Sequence, residues 1–572
     1  MTIQTGSFSG SRENVSADLQ AGDVIHVWLK ARITGVTASV AVTVEGVEIT
    51  AAVSTKTEEF EFQQVVLSAS GKCVLSYEPS ATAVSVIYSF DPVGVLEGGI
   101  RVLHCSAENA PPQLHSGYHF RPPFGWMNDP NGFGRFGGKA HLFYQHYPHS
   151  LRWNTMHWGH AASHDYLHWT HLPVFLFPAA ELSARDDGRG GAFSGSAIPV
   201  ATEDGEGEQI RVFFTEQVRD RRPEEQIQLS AICADGIFVG NPSVVLPVRP
   251  ERLGLTLDFR DPYVFKGPDG LWKMLLGSRD KSGGVILLYE TSGHAAAGDW
   301  SFVGVLHRED RFGMTAAECP CMIPLGDVAS DETRWALIFG LLTSRDPATG
   351  RRNMSSVTVG RFDGRQFQPE FEQELDFGSD AYAFQAFVDH DGPVGLAWLA
   401  NWTDVSKSVD FPTAMTLPRR ILLDGGAVLT PPLEAVDGLR HKLLDEDRLQ
   451  TGKSVELVDG AVEILLDLKQ AGASFELNFD HPEIRVGVRQ DKDGLAILFD
   501  AGAGKPSPRY LAAGAKPEQV RIFVDAGSIE VFAGNGRWCG TKRIPGFAAI
   551  RSATLSASEG SVAAARVWQL KL

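Results

Sequence analysis

Three carboxylates in this sequence stand among turns and aromatic residues rather than among other charges: Asp129, Asp261 and Glu318. Asp129 and Glu318 have no charged neighbour within two positions, and Asp261 has Arg260 beside it. Burying a carboxylate is unfavourable unless it is paired, so such residues are rarely kept without a partner. Each one alone could be a turn residue or half of an ion pair. The three together favour a catalytic site.

The surroundings of Asp129 allow two interpretations. Asn128 precedes it and Pro130-Asn131-Gly132 follows. Asp-Pro-Asn-Gly is typical of a β-turn, because Asp suits the first position, Pro the second and Gly the fourth. The alternative is that the turn presents Asp129 at the mouth of a pocket, which would need a second carboxylate and aromatic walls. Aromatic residues do lie just upstream, at Phe120, Phe124 and Trp126.

Composition narrows the classes of protein that fit. With 572 residues the chain is too long for one ordinary core. The net charge of −18 argues against nucleic acid or anionic lipid as a partner and suits a neutral sugar better. No apolar run is long enough to span a membrane, and the first ten residues lack the features of a secretory signal. The six scattered cysteines indicate reduced thiols, so we expect a cytoplasmic protein.

The pattern of short strands and turns predicts an all-β protein. In the middle of the chain a turn that carries Asp recurs 61 to 70 residues apart. These turns are at Asp165, Asp235, Asp299, Asp363 and Asp424. Five such units, each with room for four strands, predict a five-bladed β-propeller.

Three domains are predicted on this basis. Residues 1–110 form an N-terminal β-rich, sandwich-like accessory domain, 117–435 the propeller and 440–572 a C-terminal β-sandwich. The first 20 residues are polar and predicted to be frayed. The three carboxylates all fall in the propeller, where every blade delivers its innermost strand to one central channel.

Further motifs accompany the carboxylates in a fixed order. They are Trp-Met-Asn-Asp-Pro-Asn-Gly at 126–132, Phe-Tyr-Gln at 143–145, Trp153, Trp-Gly-His-Ala at 158–161, Phe-Ser-Gly-Ser at 193–196, Arg-Asp-Pro at 260–262, Glu-Cys at 318–319, the set Asp380, Tyr382 and Gln385, Trp-Leu-Ala-Asn-Trp at 398–402 and Met-Thr-Leu-Pro-Arg at 415–419. In combination they resemble glycoside hydrolase family 32, the invertase, levanase and inulinase group. The resemblance covers about four-fifths of the chain and leaves out residues 1–110.

The resemblance implies a retaining β-fructofuranosidase that works through a covalent fructosyl-enzyme. Asp129 would be the nucleophile, Glu318 the acid/base and Asp261 the transition-state stabiliser, kept ionised by Arg260. An apolar wall and the neighbouring negative charge are expected to keep Glu318 protonated for longer than Asp129. The residues implied in substrate binding are Asn128, Gln145, Trp153, Phe193, Ser194, Arg260, Asp380, Tyr382 and Trp398.

Small departures from the family pattern lie near the expected place of the leaving sugar. They are Asn154, Ala381 and Phe384. They bear on the choice of substrate rather than on the chemistry. Sucrose and short fructo-oligosaccharides are the expected substrates, and phosphorylated sucrose stays open because the sequence shows no clear Arg or Lys phosphate pocket.

No metal or other cofactor is expected. Histidines do cluster between residues 115 and 171, and His160, His164 and His168 recur every fourth residue, as on one face of a helix. The segment is rich in aromatic residues, lies in a β-rich region and lacks the Glu of a His-Glu-x-x-His zinc helix. Structural or hydrogen-bonding histidines are the favoured interpretation.

Two other functions remain to be weighed against hydrolysis. A fructosyltransferase would use the same intermediate and resolve it with a sugar instead of water. A non-catalytic fructan-binding protein would need no catalytic carboxylates, whereas this chain has all three. The partner expected is a small sugar, with no nucleic acid and no membrane, and a homo-oligomer is left open.

Overall fold

The computed structural model describes residues 11–109, 117–182, 187–202, 205–405, 414–445, 451–457, 460–482, 484–500, 510–544 and 550–572. Nearly all of the regular structure is β-strand, which confirms the all-β prediction. The prediction of a frayed start lies outside the described residues for 1–10 and is wrong for β1 (Glu13–Leu19), a regular strand.

Residues 11–109, here the N-terminal region, form two four-stranded antiparallel sheets. The elements that follow β1 are β2 (Val24–Ala31), β3 (Ala38–Val44), β4 (Val47–Ser54), β5 (Glu61–Val66), β6 (Gly71–Tyr77), β7 (Thr82–Phe90), helix α1 (Val95–Gly98) and β8 (Arg101–Cys105). The strand orders are β1-β6-β3-β4 and β5-β2-β7-β8. Alternate residues of β2 and β3, such as Val27 and Val42, are buried in one shared core.

The central region, residues 117–439, contains five further antiparallel sheets. Its strands are β9 (Trp126–Phe136), β10 (Lys139–Tyr147), β11 (His157–Ser163), β12 (Trp169–Leu176), β13 (Gly190–Ala201), β14 (Glu208–Val218), β15 (Gln226–Cys233), β16 (Ser243–Leu246), β17 (Phe259–Lys266), β18 (Trp272–Arg279), β19 (Gly284–Thr291), β20 (Ser301–Glu309), β21 (Ala316–Pro324), β22 (Trp335–Leu342), β23 (Ser355–Phe362), β24 (Phe367–Glu374), β25 (Tyr382–Asp389), β26 (Gly392–Leu399), β27 (Ala414–Met415), β28 (Arg419–Arg420), β29 (Leu422–Asp424) and β30 (Ala427–Leu429). Its helical segments are α2 (Trp402–Val405) and short 3₁₀ turns at His294–Ala296, Arg311–Gly313 and Glu434–Leu439.

Each of the five sheets is built from strands that are consecutive in sequence. They comprise β9–β12, β13–β16, β17–β20, β21–β24 and β25–β28, and β29 pairs with β30 alone. The first strands lie side by side in cyclic order: β9 contacts β13, β13 contacts β17, β17 contacts β21, β21 contacts β25, and β25 contacts β9. Residues near the start of these strands are therefore brought together.

The recurring Asp turns have a shared structural basis. Asp165, Asp235, Asp299 and Asp363 each lie between the third and fourth strands of a sheet, whereas Asp424 lies in the separate β29–β30 hairpin. One carboxylate oxygen accepts two backbone N–H bonds at Asp165, Asp235 and Asp363. Asp favours turns by this kind of local hydrogen bonding.

The C-terminal region, residues 440–572, forms two six-stranded sheets that share one core. The strands are β31 (Arg440–Asp445), β32 (Ser454–Glu456), β33 (Val462–Leu468), β34 (Phe475–Phe479), β35 (Arg485–Asp491), β36 (Gly494–Asp500), β37 (Tyr510–Ala513), β38 (Gln519–Asp525), β39 (Ser528–Ala533), β40 (Trp538–Arg543), β41 (Ser552–Ala557) and β42 (Val562–Leu570). The orders are β31-β42-β33-β38-β39-β40 and β32-β41-β34-β35-β36-β37.

Buried charges join the central and C-terminal regions. His119 lies 2.7 Å from Asp525 through Nδ1 and 2.9 Å from Glu530 through Nε2. Arg419 Nη2 donates to Glu530 at 2.9 Å and to Asp376 at 3.2 Å. All five side chains are at most 1% exposed, so this junction is held by ion pairs that water does not screen.

Candidate active site

A cavity of about 480 Å³ lies near the start of the first strands of the central sheets. Asp129 on β9, Asp261 on β17 and Glu318 on β21 all line it. The structure thus brings the three carboxylates together from three different sheets. Of the nine other predicted site residues, six also line the cavity: Asn128, Gln145, Trp153, Phe193, Ser194 and Arg260.

Asp129 has two different carboxylate oxygens. Its Oδ2 accepts a hydrogen bond from Ser194 Oγ at 2.8 Å, and Cys319 Sγ lies 3.6 Å from the same atom. No hydrogen bond of normal geometry reaches Oδ1 from the described residues. Burial, followed by the negative charge of Glu318, raises the pKa of Asp129 to about 6. At neutral pH it is mostly ionised, and its Oδ1 is a buried atom without a hydrogen bond from the described residues.

Glu318 is contacted by two donors. Arg260 Nη2 donates to Oε1 at 2.9 Å and Tyr382 Oη donates to Oε2 at 2.7 Å. A guanidinium and a phenol face this carboxylate, so the prediction of an apolar wall beside it is wrong. Donors of this kind fix the orientation of both oxygens.

Asp261 is held mainly by backbone groups. Its Oδ2 accepts from the Cys319 N–H at 2.9 Å, and its own N–H donates to Thr215 Oγ1 at 3.0 Å. Arg260 makes its short bonds to Asp258, at 2.6 Å, and to Glu318, while its Nε stays 3.9 Å from Asp261.

The prediction that Arg260 keeps Asp261 ionised needs correction. Burial raises the pKa of Asp261, the Arg260 charge opposes this, and the negative charge of Glu318 adds to the rise, so the net shift is upward. One guanidinium divided among three carboxylates cannot offset the burial of this one.

A β-bulge recurs near the start of all five first strands. Pairing with the second strand shifts register after Met127, Ala192, Arg260, Glu318 and Tyr382. Three residues beside these shifts have left-handed backbone conformations: Asp261 at φ 62°, Cys319 at 49° and Ala383 at 54°. A bulge bends the strand and redirects its side chains. We attribute the convergence of the carboxylates on the cavity to these bulges.

Aromatic side chains form part of the cavity wall. Trp153 and Phe193 both line it and meet edge to face, with ring centroids 6.2 Å apart. Gln145 Nε2 donates to the carbonyl of Ala192 at 2.9 Å and so holds the segment that carries Phe193. Aromatic rings of this kind can cover the apolar C–H face of a sugar while nearby polar groups bind its hydroxyls.

Comparison with known proteins decides the family. The family model "Glycosyl hydrolases family 32 N-terminal domain" matches residues 119–432, and "Glycosyl hydrolases family 32 C terminal" matches 445–569. The chain belongs to glycoside hydrolase family 32. Sucrose-6-phosphate hydrolase of Escherichia coli is 32% identical over 81% of this chain and 98% of its own length. Raffinose invertase of Escherichia coli is 31% identical over 77% and 92%.

The fold of this family 32 chain is shared along its whole length with a solved structure. That structure is a glycoside hydrolase family 32 protein from Bifidobacterium adolescentis, with a TM-score of 0.84 and 22% identity. The likeness covers 98% of this chain and 99% of the other, so it includes the N-terminal region, which neither family model matches.

Tyr382, predicted to bind substrate, reaches this glycoside hydrolase's cavity through Glu318. The tyrosine is completely buried, and its hydroxyl ends on the carboxylate. Its ring lies over Gly340, where an added Cβ would stand 2.7 Å from the ring. Gly340 pairs with Glu318 across β21 and β22. Tyr382 is thus placed to orient Glu318 rather than to touch a sugar.

Trp398 is not a cavity wall in this family 32 chain. Its side chain is fully buried and packs against Trp126 and Trp402, with ring centroids 6.0 and 4.8 Å away. Trp402, four residues later in the same motif, lines the cavity instead. The sequence offers both tryptophans, and only packing against β9 decides which one is covered.

Asp380 also lies elsewhere. Its Oδ2 accepts from Lys542 Nζ at 2.7 Å and from the Arg543 N–H at 2.8 Å, both on β40 of the C-terminal region. Both members of the Asp380–Lys542 pair are 2% exposed. Position in the family motif suggested a sugar-binding role, whereas the carboxylate is used at the junction between regions.

Sequence reasoning missed Asp258 and underused the proline signal. Asp258 fixes the far side of Arg260 through the 2.6 Å bond, yet in sequence it resembles an ordinary turn residue.

Pro130, Pro262 and Pro320 all lie inside first strands. Proline within a strand indicates an edge or a bulge, so these three residues could have indicated the bulges beside the carboxylates.

In the described parts of the chain, no group of three or more His, Cys, Asp or Glu side chains could hold a metal ion. No helix among those residues is long and apolar enough to cross a membrane.

Proposed function

We propose that the protein is a retaining β-fructofuranosidase that hydrolyses terminal fructofuranosyl residues of sucrose and short fructo-oligosaccharides. The observation that carries the proposal is the pairing of two differently held carboxylates in one cavity. Asp129 accepts one side-chain hydroxyl bond, from Ser194 to Oδ2, whereas Glu318 has charged and phenolic donors on both oxygens. Glycoside hydrolysis with retention needs one carboxylate to attack and another to move a proton.

The proposal includes a five-bladed propeller over residues 117–435, between sandwiches over 1–110 and 440–572. Support comes from five consecutive four-stranded sheets whose first strands touch in a closed cycle. In each of the two flanking regions a pair of sheets encloses one common core, and this supports the proposal of a sandwich there. The matched ranges 119–432 and 445–569 agree with the second boundary.

In the proposed mechanism an oxygen of the Asp129 carboxylate attacks the anomeric carbon as the bond to the leaving oxygen breaks. Glu318, protonated for this step, gives its proton to that oxygen. Water then attacks the fructosyl-enzyme, gives a proton back to Glu318 and releases Asp129. Ser194 donates to Asp129 Oδ2 at 2.8 Å and so helps to hold the orientation of the carboxylate. Neither step requires a metal or another cofactor.

Asp261 and its neighbours are proposed to bind the fructose hydroxyls. Asp261 lines the cavity with one oxygen fixed by the Cys319 N–H. Asn128 and Gln145 offer amides, and Trp153 and Phe193 an aromatic wall. Hydrogen bonds that strengthen as the ring becomes oxocarbenium-like lower the barrier.

The proposed nucleophile sets the acid limb of the pH profile. Asp129 must be ionised to attack, and its pKa is about 6. We therefore expect kcat/KM to fall as pH drops below about 6, since this constant reports the free enzyme. Ser194→Ala removes a donor to the charged form, so the limb should move to higher pH.

Ser196→Ala is the matched control for that shift. Ser196 lies two residues further along β13 and accepts from the Val264 N–H instead. A pH titration of kcat/KM for the three proteins checks the expectation. An acid limb that stays in place in Ser194→Ala would contradict the role given to Asp129.

Sucrose 6-phosphate is a second candidate substrate because a cation stands on the rim. Arg219 lines the cavity, is exposed, and makes no ion pair within the part of the chain that the structure describes. Arg219→Gln should raise the KM for sucrose 6-phosphate relative to sucrose by about tenfold, the worth of a charge-assisted hydrogen bond.

Arg189→Gln is the control for this change. The Arg189 guanidinium already pairs with Asp187 at 3.0 Å and Asp220 at 3.1 Å. Steady-state kinetics on both sugars give the KM ratio for each variant. Equal changes of KM on the two sugars in Arg219→Gln would exclude a phosphate contact at this residue.

Product analysis tests the function as a whole. The protein is incubated with sucrose, a short fructo-oligosaccharide and sucrose 6-phosphate, and the products are separated by chromatography. Release of free fructose in proportion to the glucose moiety is expected. Chain-extended products at high sucrose would favour a fructosyltransferase, and binding without turnover would favour a fructan-binding protein.

A further inference from the structure

The connection between β10 and β11 faces two ways. This Trp153 segment, residues 147–155, presents Trp153 to the active-site cavity. Its other side lies against the N-terminal region. The segment therefore lies between that region and the proposed fructose site.

Buried side chains of the N-terminal region contact the start of the segment. Tyr147 Oη donates to Glu59 Oε2 at 3.4 Å, and Ser85 Oγ lies 2.9 Å from His149 Nδ1. The His149 ring also packs against Phe60, with centroids 4.8 Å apart. Four of these side chains are at most 5% exposed, Phe60 being half-buried, so the contacts are shielded from water.

The state of His149 follows from these neighbours. Burial lowers its pKa well below the usual value, so the imidazole is neutral. Its Nε2 lies 3.8 Å from Glu59 Oε1 and its Nδ1 faces Ser85. Ser85 hydrogen-bonds Nδ1, and the Glu59 carboxylate faces Nε2 at a distance too long for a hydrogen bond.

Backbone groups secure the same segment. Asn109 Nδ2 donates to the carbonyl of Pro148 at 2.6 Å, and the Leu151 N–H donates to the carbonyl of Glu108 at 3.2 Å. The Gly125 N–H donates to the Asn109 carbonyl at 3.1 Å, immediately before β9 begins. Residues just before β9 and residues just after β10 are therefore hydrogen-bonded to the end of the N-terminal region.

Tyr147 continues these contacts into the site. It is 4% exposed and belongs to one packed cluster with Trp126, Cys319, Tyr382 and Trp398. Trp153 packs against that cluster from outside. A displacement of Tyr147 would be felt by the wall residue and by the residues that hold Glu318, because close-packed side chains transmit shifts.

We propose that the N-terminal region is a positioning element for the active site. Through Glu59, Ser85 and Asn109 it fixes the Trp153 segment and so sets the place of the aromatic wall. None of the contacts made by Glu59, Ser85 and Asn109 is to a catalytic carboxylate itself. The region therefore acts on sugar binding more than on the chemical steps. The inference rests on the proposed function.

The first test compares two residues near the junction of the β4–β5 connection with β5. Glu59→Ala removes the contact to Tyr147, whereas Glu61→Ala removes contacts to Ser54 and Lys56 that stay inside the N-terminal region. Glu59→Ala should raise KM by at least about fivefold with kcat little changed, since a displaced wall weakens binding. Ser85→Ala, a smaller truncation, should act in the same direction and guards against a Glu59 variant that fails to fold.

The second test asks whether the effect passes through Trp153. In a double-mutant cycle, Glu59→Ala should add little to the KM of Trp153→Ala, because the wall is already missing. Combined with Arg219→Gln, a cavity residue from another connection, the same change should add in full. Unfolding midpoints measured alongside separate a general loss of stability from a displaced wall.

The outcomes distinguish the two proposals. A wild-type protein that releases no fructose from any substrate overturns the proposed function. If the wild type is active, an unchanged KM in Glu59→Ala and Ser85→Ala overturns the positioning role, even if their unfolding midpoints fall. Full additivity with Trp153→Ala overturns it as well.

Discussion

Asp129→Ala is expected to lower kcat by roughly 10⁴–10⁶-fold, as removal of a nucleophilic or closely coupled catalytic group does in a covalent mechanism. The side chain supplies the only bond between enzyme and fructosyl group in the proposed intermediate. The substitution removes the whole carboxylate that Ser194 orients. An activated leaving group should not restore turnover by the retaining route, since the deficiency lies in the attacking group.

Glu318→Ala should behave differently. The expected loss on sucrose is roughly 10²–10⁴-fold, the usual worth of general acid–base catalysis. The loss should shrink on an activated fructoside, whose leaving group needs no proton, and added azide should intercept the fructosyl-enzyme without a general base. Arg260 and Tyr382 remain in this variant as donors near the vacated position.

Both variants are assayed on sucrose and on an activated fructoside, with and without azide. The role assignment fails if Asp129→Ala keeps the retaining pathway. It also fails if Glu318→Ala gains nothing from the better leaving group. Tyr382→Phe is a useful companion, because it removes the donor to Glu318 while leaving the ring over Gly340.

Arg419→Met is expected to destabilise the protein by about 3–5 kcal/mol, as breaking a buried ion pair from one side does. The guanidinium is fully buried, donates to Glu530 and Asp376, and stacks over the Phe532 ring at 5.0 Å. Burial alone would raise the pKa of Glu530, but His119 and Arg419 hold it below its usual value. Without Arg419, Asp376 and Glu530 face each other with less compensation.

Arg334→Met is the matched control for Arg419→Met. Arg334 donates to Glu370 at 2.7 Å, and both side chains are partly in water. Its loss should alter stability by less than about 1 kcal/mol. Urea unfolding of the two variants and the wild type checks this, and equal midpoints for Arg419→Met and the wild type would contradict the structural role of the junction.

Local features of the fold could be predicted from the sequence, whereas the partners of buried side chains could not. Alternation and turn residues are local signals, so the all-β class could be predicted and the Asp turns indicated four of the five central sheets. The strand β1 was missed because its outward residues are polar and its partner, β6, is far along the chain. The contacts between the first strands of different sheets are likewise long-range.

The same distinction explains the site predictions. Asp129, Asp261 and Glu318 could be found because an isolated carboxylate among turns and aromatics is a local pattern. Whether Trp398 and Asp380 reach the cavity depends on which distant strand covers each side chain. Trp398 is covered by β9 and Asp380 by β40. No local pattern shows how one guanidinium is divided among three carboxylates.

The placement of the three carboxylates on different sheets has a consequence for how such an enzyme can change over evolution. No single backbone segment fixes the separation of Asp129 and Glu318, which is determined by the side chains that fill the space between sheets. Buried residues such as Ile338 and Ala386 occupy that space between the fourth and fifth sheets. Substituting a larger or smaller apolar residue there shifts whole sheets by fractions of an ångström. Natural variation in these buried apolar residues can thus change the separation of the two catalytic carboxylates while every residue that touches the sugar stays the same.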